Sequence, residues 1–342
     1  MQSHSGALLG VGRRLGCLLY STSTSTSTTQ QQQQYDADTA WAQSPDASAL
    51  LQQLQQALQE PLRAGSSLDV SHLLSSWTAY LQERLGAAAV PPASSIPFRY
   101  LTNVLSYPLT LAALLHRHLP LVVAPSQQQH RSRLHVAIIG ARGEATMPAW
   151  LWREAFRIGT APHEHRPWRL SLIGPMVPSL GRACRLVGSD GSVRRGPLPT
   201  TDHDASHSAD AVGEIHHHMG VLHAIPHCDR MLHDVSLVML FHPGIGHQRH
   251  RTTWQQSLSL LSRLPNAPVV AVTSLNAADQ QRDLAELPGC GLAPPLKWHF
   301  TIEPSCNPFA SHSVGFDATS DSDHPDYQSN SYWMALMRRC DT

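Results

Sequence analysis

Four apolar runs, each closed by a tight turn, constrain this chain more than any other feature. They are Leu134–Gly140, Trp168–Pro175, Val235–Gly244 and Pro268–Ser274. Runs this apolar, rich in Val and Ile, suit strands buried on both faces. Helical stretches separate them. The expected fold is therefore α/β, a parallel sheet with helices on both faces, preceded by a helical N-terminal region. In such sheets ligands bind at the carboxyl edge of the strands. Here that edge carries Gly140-Ala141-Arg142-Gly143-Glu144, Gly174-Pro175 and His242-Pro243-Gly244-Ile245-Gly246-His247.

With 342 residues the chain can bury one sizeable core with appendages, or two modest ones. Its formal net charge is zero, so no basic surface announces nucleic acid. The six cysteines, at 17, 184, 228, 290, 306 and 340, include no C-x-x-C pair, so zinc-finger spacing is absent. They read as free, mostly buried thiols. No apolar stretch reaches the roughly 20 residues that span a bilayer.

The first 35 residues read as an address. Arg13 and Arg14 sit among leucines, a Ser/Thr repeat runs from Ser21 to Thr29, and glutamine fills positions 30 to 34. No acidic residue precedes Asp36. A basic, serine-rich, acid-free start has the composition of an organelle transit peptide. The short apolar stretch Leu15–Leu19 keeps a secretory signal open as a rival, and a tail with no address is the plain alternative.

Residues 36–130 read as helical. Leu50, Leu51, Leu54 and Leu58 recur at helical spacing before Pro61; Trp77, Tyr80, Leu81 and Leu85 form a second stripe closed by Gly86. A third helix is expected over Leu109–Leu119, introduced by Pro108 and closed by Pro120. The α/β part is expected over 131–342. Helices are predicted from Pro148 to Phe156, Trp254 to Leu264 and Ala277 to Leu287, with a short last strand from Lys297 to Glu303. Between Met176 and Asp234 the lack of periodicity predicts a disordered or functional insertion. Ser311–Ser331 reads as loop and Tyr332–Arg339 as a short closing helix.

Gly140–Glu144 has the position of a cofactor-binding glycine turn, where backbone N–H groups face an anion. It is not G-x-G-x-x-G, and the second strand ends in Gly174-Pro175 where a ribose-binding acid would stand. The plainer expectation is a tight turn in which Arg142 and Glu144 pair by charge-assisted hydrogen bonds. His242 and His247 flank a rigid loop and have the chemistry of an acid–base pair or metal ligands, without a carboxylate partner nearby in sequence. With 22 histidines in the chain, a given pair carries little weight. His216-His217-His218 with His223, His227 and Cys228 have zinc or copper chemistry, but sit in the insertion, where such tracts are compositional. No four-ligand metal site is expected. Ser171 and Ser274 lack a G-x-S-x-G elbow. The expected cleft therefore comprises Gly140, Arg142, Glu144, Gly174, His242, Gly244 and His247.

Several blocks together resemble one family. Leu134–Pro148, a strand followed by G-A-R-x-E and a proline, is similar to a block of the mitochondrial splicing suppressor fifty-one-like C-terminal domain. Leu105-Ser106-Tyr107-Pro108-Leu109-Thr110-Leu111 resembles its L-S-x-P-L-T-L entry helix. Ser171–Pro175 resembles its I-G-P strand, and Leu240–His247 its L-F-N/H-P-G-x-G-H loop. Thr273-Ser274 with Asp279 and Arg282-Asp283-Leu284 resemble its T-x-x-S…D-x-x-R-D stretch. Asn307-Pro308-Phe309 resembles its P-N-P-F turn, with Cys306 in place of the first proline. The blocks keep the family's order over about residues 96–336.

The resemblance implies a Rossmann-like domain, often paired with a MYND zinc finger whose Cys/His array this chain lacks. It also implies a role in mitochondrial gene expression or cytochrome oxidase assembly, and a methyltransferase-like ancestry. The resulting expectation is a non-catalytic mitochondrial protein acting through organellar protein partners, with no cofactor. Two rivals stand beside it. One is a methyltransferase-like enzyme using S-adenosylmethionine at Gly140–Glu144, and the other an RNA-binding translational regulator. Plastid and cytoplasm are the alternative locations.

Overall fold

The computed structural model describes residues 29–60, 69–122, 133–160, 167–180, 183–188, 192–197, 211–292, 298–316 and 326–339. Most of the leader and the His/Asp/Ser-rich stretch at 200–208 lie outside these residues. The chain divides into two compact units, Met1–Thr110 with Cys306–Ser331, and Leu111–Ser305 with Tyr332–Thr342.

The first unit is largely helical. It contains α1 (Thr29–Ala42), α2 (Pro45–Gln59), α3 (Val70–Leu73), α4 (Trp77–Leu85) and the start of α5 (Ile96–Val122). Ser44, Asp69 and Ser76 cap α2, α3 and α4 by accepting first-turn amide hydrogens. The leucine stripe expected in α2 is buried at Leu51, Leu54 and Leu58. The third helix differs from expectation: α5 begins at Ile96 and runs through both Pro108 and Pro120. An interior proline costs about 3 kcal/mol. Here burial of Leu101, Val104, Leu105 and Leu109 on the same helix offsets it.

Further along the chain come β1 (Leu134–Ile139), α6 (Ala149–Gly159), β2 (Trp168–Gly174), β3 (Ala183–Gly188), β4 (Val193–Pro197) and β5 (Ala211–Met219). They are followed by α7 (Cys228–Met231), β6 (Leu237–Phe241), α8 (Gln248–Arg263), β7 (Val269–Ser274), α9 (Ala277–Glu286) and β8 (Trp298–Cys306). Two short strands, β9 (Val314–Phe316) and β10 (Asp326–Gln328), pair with each other, and β11 (Tyr332–Arg338) follows. Nine strands form one sheet in the order β4-β3-β5-β2-β1-β6-β7-β11-β8.

The sheet is mixed, not all-parallel. Strands β5, β2, β1, β6 and β7 run parallel. Strands β3 and β4 run antiparallel beside β5, and β11 runs antiparallel to β7. The expected strands at β1, β2, β6, β7 and β8 are present, as are helices α6, α8 and α9.

Three further expectations are corrected. The stretch 176–234 contains three sheet strands, β3, β4 and β5, and the charge of Glu214 in β5 is met by Arg133 and Arg169. The expected closing helix at Tyr332–Arg339 is strand β11, five of whose residues pair in register with β7. The expected loop at Ser311–Ser331 contains the β9–β10 pair.

One core of this second unit joins Ala137, Ile139, Ile173, Val238, Leu240, Val270 and Val272 from the parallel strands to Leu258 and Leu261 of α8. Helix α6 packs on β2 through Phe156, whose ring stacks on Trp168 at 4.3 Å. Among the described residues, no helix is long and apolar enough to cross a membrane.

Candidate functional site

The carboxyl ends of β1, β2, β6 and β7 bring most of the expected cleft residues to one edge of the sheet. After β1 the chain turns at Gly140, whose φ of +80° is open to glycine and strained for other residues. The six-membered ring of Trp254, from α8, lies about where a Cβ on Gly140 would fall, with its nearest atom at 2.9 Å. The same indole donates from Nε1 to the Pro243 carbonyl at 2.7 Å, so one side chain ties the β1 turn to the β6 loop. At the end of β2, a Cβ on Gly174 would penetrate the Ala141 carbonyl. The close approach is fixed by the Ala141 N–H donating to Ile173 O at 2.9 Å.

Glu144 sits in the 3-10 turn Gly143–Thr146 and is buried. The expected Arg142–Glu144 charge pair takes a different form. The backbone N–H of Arg142 donates to Glu144 Oε2 at 2.7 Å, while the Arg142 residue is exposed. A carboxylate two residues ahead reaches the amide more readily than it reaches an extended guanidinium in solvent. Burial raises the Glu144 pKa, and the amide bonds oppose that shift.

His242 adopts φ +45°, a left-handed conformation uncommon outside glycine, and its N–H donates to Thr273 Oγ1 at 3.3 Å. Gly244 follows at φ +59°. His247 is the residue before α8, and its ring lies 5.6 Å from that of His250. Burial and then the charge of Arg142 lower the His250 pKa.

In the sequence Asp283 stands out only as part of a motif. It is 2% exposed, accepts from the Gly246 N–H at 3.0 Å and from Ser274 Oγ at 3.4 Å, and so fastens α9 to the ends of β6 and β7. The Gly246 backbone comes so close to Arg282 that a Cβ would lie 2.6 Å from its carbonyl. Burial pushes the Asp283 carboxyl up to about 7 against the pull of the Gly246 amide. The available signal was its position: Gln280, Asp283 and Leu287 recur at the spacing of a core-facing helical stripe.

A second polar group crosses β1, β2 and β5, away from the expected cleft. His135 Nδ1 meets Asp234 Oδ1 at 2.7 Å, and its Nε2 meets Ser171 Oγ at 2.8 Å. Glu214 Oε2 accepts from Arg133 at 2.8 Å and lies 3.0 Å from His216 Nε2, with Arg169 at 3.4 Å. Burial lowers the His135 and His216 pKa values. Burial works against Glu214, but His216 and the two arginines hold it at about 2. The Asp–His–Ser order has the form of a catalytic relay, yet Ser171 and His135 are each 1% exposed. Ser171 lies within a central strand, out of a substrate's reach, so the array serves as a hydrogen-bond network, buried at its His135–Ser171 end and partly exposed at Asp234.

The histidine tract is split by strand alternation. His216 and His218 point to one face of β5 and His217 to the other, while His223 bonds Ser257 Oγ at 2.9 Å. Among the described residues, no group of three or more His, Cys, Asp or Glu is arranged to hold a metal ion. Cys184, Cys228 and Cys290 are buried and form no disulfide, and Cys306, also outside any disulfide, is exposed. No protein-family model matches this chain, and no curated protein matches it.

Proposed function

We propose that this chain is a non-catalytic, Rossmann-like mitochondrial protein that works through protein partners in organellar gene expression or cytochrome oxidase assembly. One observation carries the non-catalytic part. The glycine turns at the strand ends, where a cofactor's phosphates or ribose would approach, are filled by the chain itself. Trp254 covers Gly140, Ala141 presses on Gly174, and Glu144 accepts its own turn's amide. An anion-binding turn needs free, outward N–H groups and room for the ligand. The transit-like leader and the ordered motif blocks support the location and the process. Asp283 with Gly246, and Gly174 with Ala141, join blocks that the family resemblance singles out, which supports a common architecture.

The test uses the full chain carrying an affinity tag and purified from mitochondria. Organellar translation factors or cytochrome oxidase assembly components should co-purify in fixed stoichiometry. The purified chain should show no thermal shift with S-adenosylmethionine. A saturable shift with that cofactor would overturn the proposal in favour of a methyltransferase-like enzyme. Recovery of a defined RNA without protein partners would favour the translational-regulator reading. Failure of a reporter carrying residues 1–40 to enter mitochondria would remove the location.

A further inference from the structure

Arg185 of β3 differs from three other arginines of this unit. Arg133 and Arg169 share Glu214, and Arg157 pairs with Glu154. Among the described residues, no carboxylate lies within ion-pair distance of Arg185. It projects from β3 on the strand face opposite to Glu214, since Arg185 aligns with Ile215 and its neighbour Leu186 with Glu214. Its Nη2 lies 2.8 Å from His217 Nε2. Only long contacts of 3.4 Å reach the carbonyls of Ala145 and Met147. Its Nε is buried and finds no hydrogen-bond acceptor among the described residues.

Burial lowers the Arg185 pKa to about 10, so the group remains a cation at neutral pH. His217 adds no compensating charge. It is 8% exposed, and burial followed by the charge of Arg185 holds its pKa at about 4. The nearest turn contains Glu144, but that carboxyl is engaged with the Arg142 amide. A guanidinium taken out of water without a counter-charge weakens a fold unless something neutralises it. Carbonyls at the outer limit of hydrogen bonding supply only partial charges. Arg185 is partly exposed as a residue while its Nε is covered, so a small oxyanion approaches along the exposed part of the side chain and must part the covering atoms to reach Nε.

We propose that Arg185, together with His217 and the Ala145–Met147 turn, forms a binding site for a small oxyanion: free phosphate, or the phosphate or carboxylate group of a larger ligand. The oxyanion accepts from the idle Nε–H and supplies the missing negative charge, and the planar guanidinium fits its oxygens as a fork. The site adjoins the β1 turn through Ala145–Met147 but uses none of the groups that fill the strand-end turns, so it does not depend on the functional proposal above.

The test titrates the wild-type chain with inorganic phosphate or acetate against chloride at matched ionic strength. The melting temperature and the calorimetric heat are both read. Phosphate should give a saturable rise in melting temperature and a saturable heat. A matching response to acetate marks a site open to carboxylates, and its absence restricts the ligand to phosphate groups. Arg185→Met should abolish both responses and melt no lower than wild type in chloride. If that variant does not fold, Arg185→Gln retains an N–H for the Ala145 carbonyl and serves in its place. No saturable response of the wild type to either anion overturns the proposal, whatever the variants do. So does an undiminished response in the variant.

Discussion

The side-chain amide of Asn307 donates to Thr110 Oγ1 at 2.8 Å, joining residues 197 positions apart. The other end of the same side chain accepts from the Phe309 N–H at 3.0 Å. Nearby, Ser106 Oγ donates to the Phe309 carbonyl at 2.7 Å and accepts from Asn330 Nδ2 at 2.8 Å. The Asn-Pro-Phe turn is thus held against the Leu105–Leu111 segment of α5 by buried polar contacts. These contacts come from two blocks on which the family resemblance rests.

Asn307→Ala should therefore destabilise the protein by about 1–3 kcal/mol, because it leaves the Phe309 amide without its acceptor and Thr110 without its donor. Thr110→Val should cost a similar amount by stranding the Asn307 amide. The two changes together should cost less than their sum, with a coupling of about 0.5–3 kcal/mol in a double-mutant cycle measured by denaturant unfolding. Strict additivity would show that the contact contributes nothing.

At the β1 turn the stabilising group is a carboxylate on a backbone amide, not a guanidinium. Arg142→Ala should stay within about 0.5 kcal/mol of wild type, as expected of an exposed side chain. Glu144→Ala should cost about 1–3 kcal/mol by leaving the Arg142 N–H unpaired. Glu144→Gln retains an acceptor and removes a buried ionisable group, so it should recover most of that loss. Equal losses for Arg142→Ala and Glu144→Ala would restore a side-chain ion pair.

The central strands were legible because apolar residues dominate β1, β2, β6 and β7, with only His135, Arg169 and Ser171 interrupting the apolar runs of the first two. Strand β5 was not legible. Its sequence, Ala211–Met219, carries Glu214 and three histidines, which hydropathy assigns to solvent. Inside the sheet Glu214 is held by Arg133 and Arg169, far away in sequence, and by His216 two residues on in the same strand. Strand β11 was misread for a related reason. Met334, Ala335, Leu336 and Met337 favour a helix in isolation, and pairing with β7 overrides that local preference. Of the candidate site, the turns were legible from glycine and proline. Their fastenings were not, because Trp254 and Asp283 lie on helices whose facing partners only the fold specifies.

Gly174 tests whether the β2 end is as closed as its geometry implies. A methyl there would overlap the Ala141 carbonyl, a backbone atom with no rotamer to yield. Gly174→Ala should destabilise by more than about 3 kcal/mol, beyond the usual range for a single methyl group, or prevent folding. Gly86 has no heavy atom within 4 Å of its Cβ position but a φ of +83°. Gly86→Ala, the control, should cost only about 1 kcal/mol from backbone conformation. Circular dichroism melts of the two variants decide the matter, and equal melting temperatures would show that the β2 end can open.

Asp283 gives the sharpest pH dependence. Burial raises its folded pKa to about 7, well above the roughly 3.9 of an unfolded aspartate. A raised folded pKa means that the native state binds the proton more tightly. The associated stability is fully present below about pH 4 and is lost as pH rises through about 7. Histidines act oppositely: His217 and His218, lowered to about 4 chiefly by burial, withdraw stability as pH falls below about 6.5. The wild-type profile mixes both trends, so the comparison that isolates Asp283 is with Asp283→Asn. The amide oxygen still accepts from Gly246, and its nitrogen faces the Ser274 hydroxyl. Asp283→Asn should match wild type near pH 4 and gain on it steadily above pH 5. The advantage should reach a few kcal/mol by pH 8–9, with about 4 kcal/mol as the ceiling set by a three-unit shift. Asp283→Ala strands the Gly246 amide at every pH and should lose about 1–3 kcal/mol near pH 5. A stability difference between Asp283→Asn and wild type that stays flat from pH 4 to pH 9 would show that the carboxyl is ionised throughout. In that case the amides of the β6 loop would hold it as an anion.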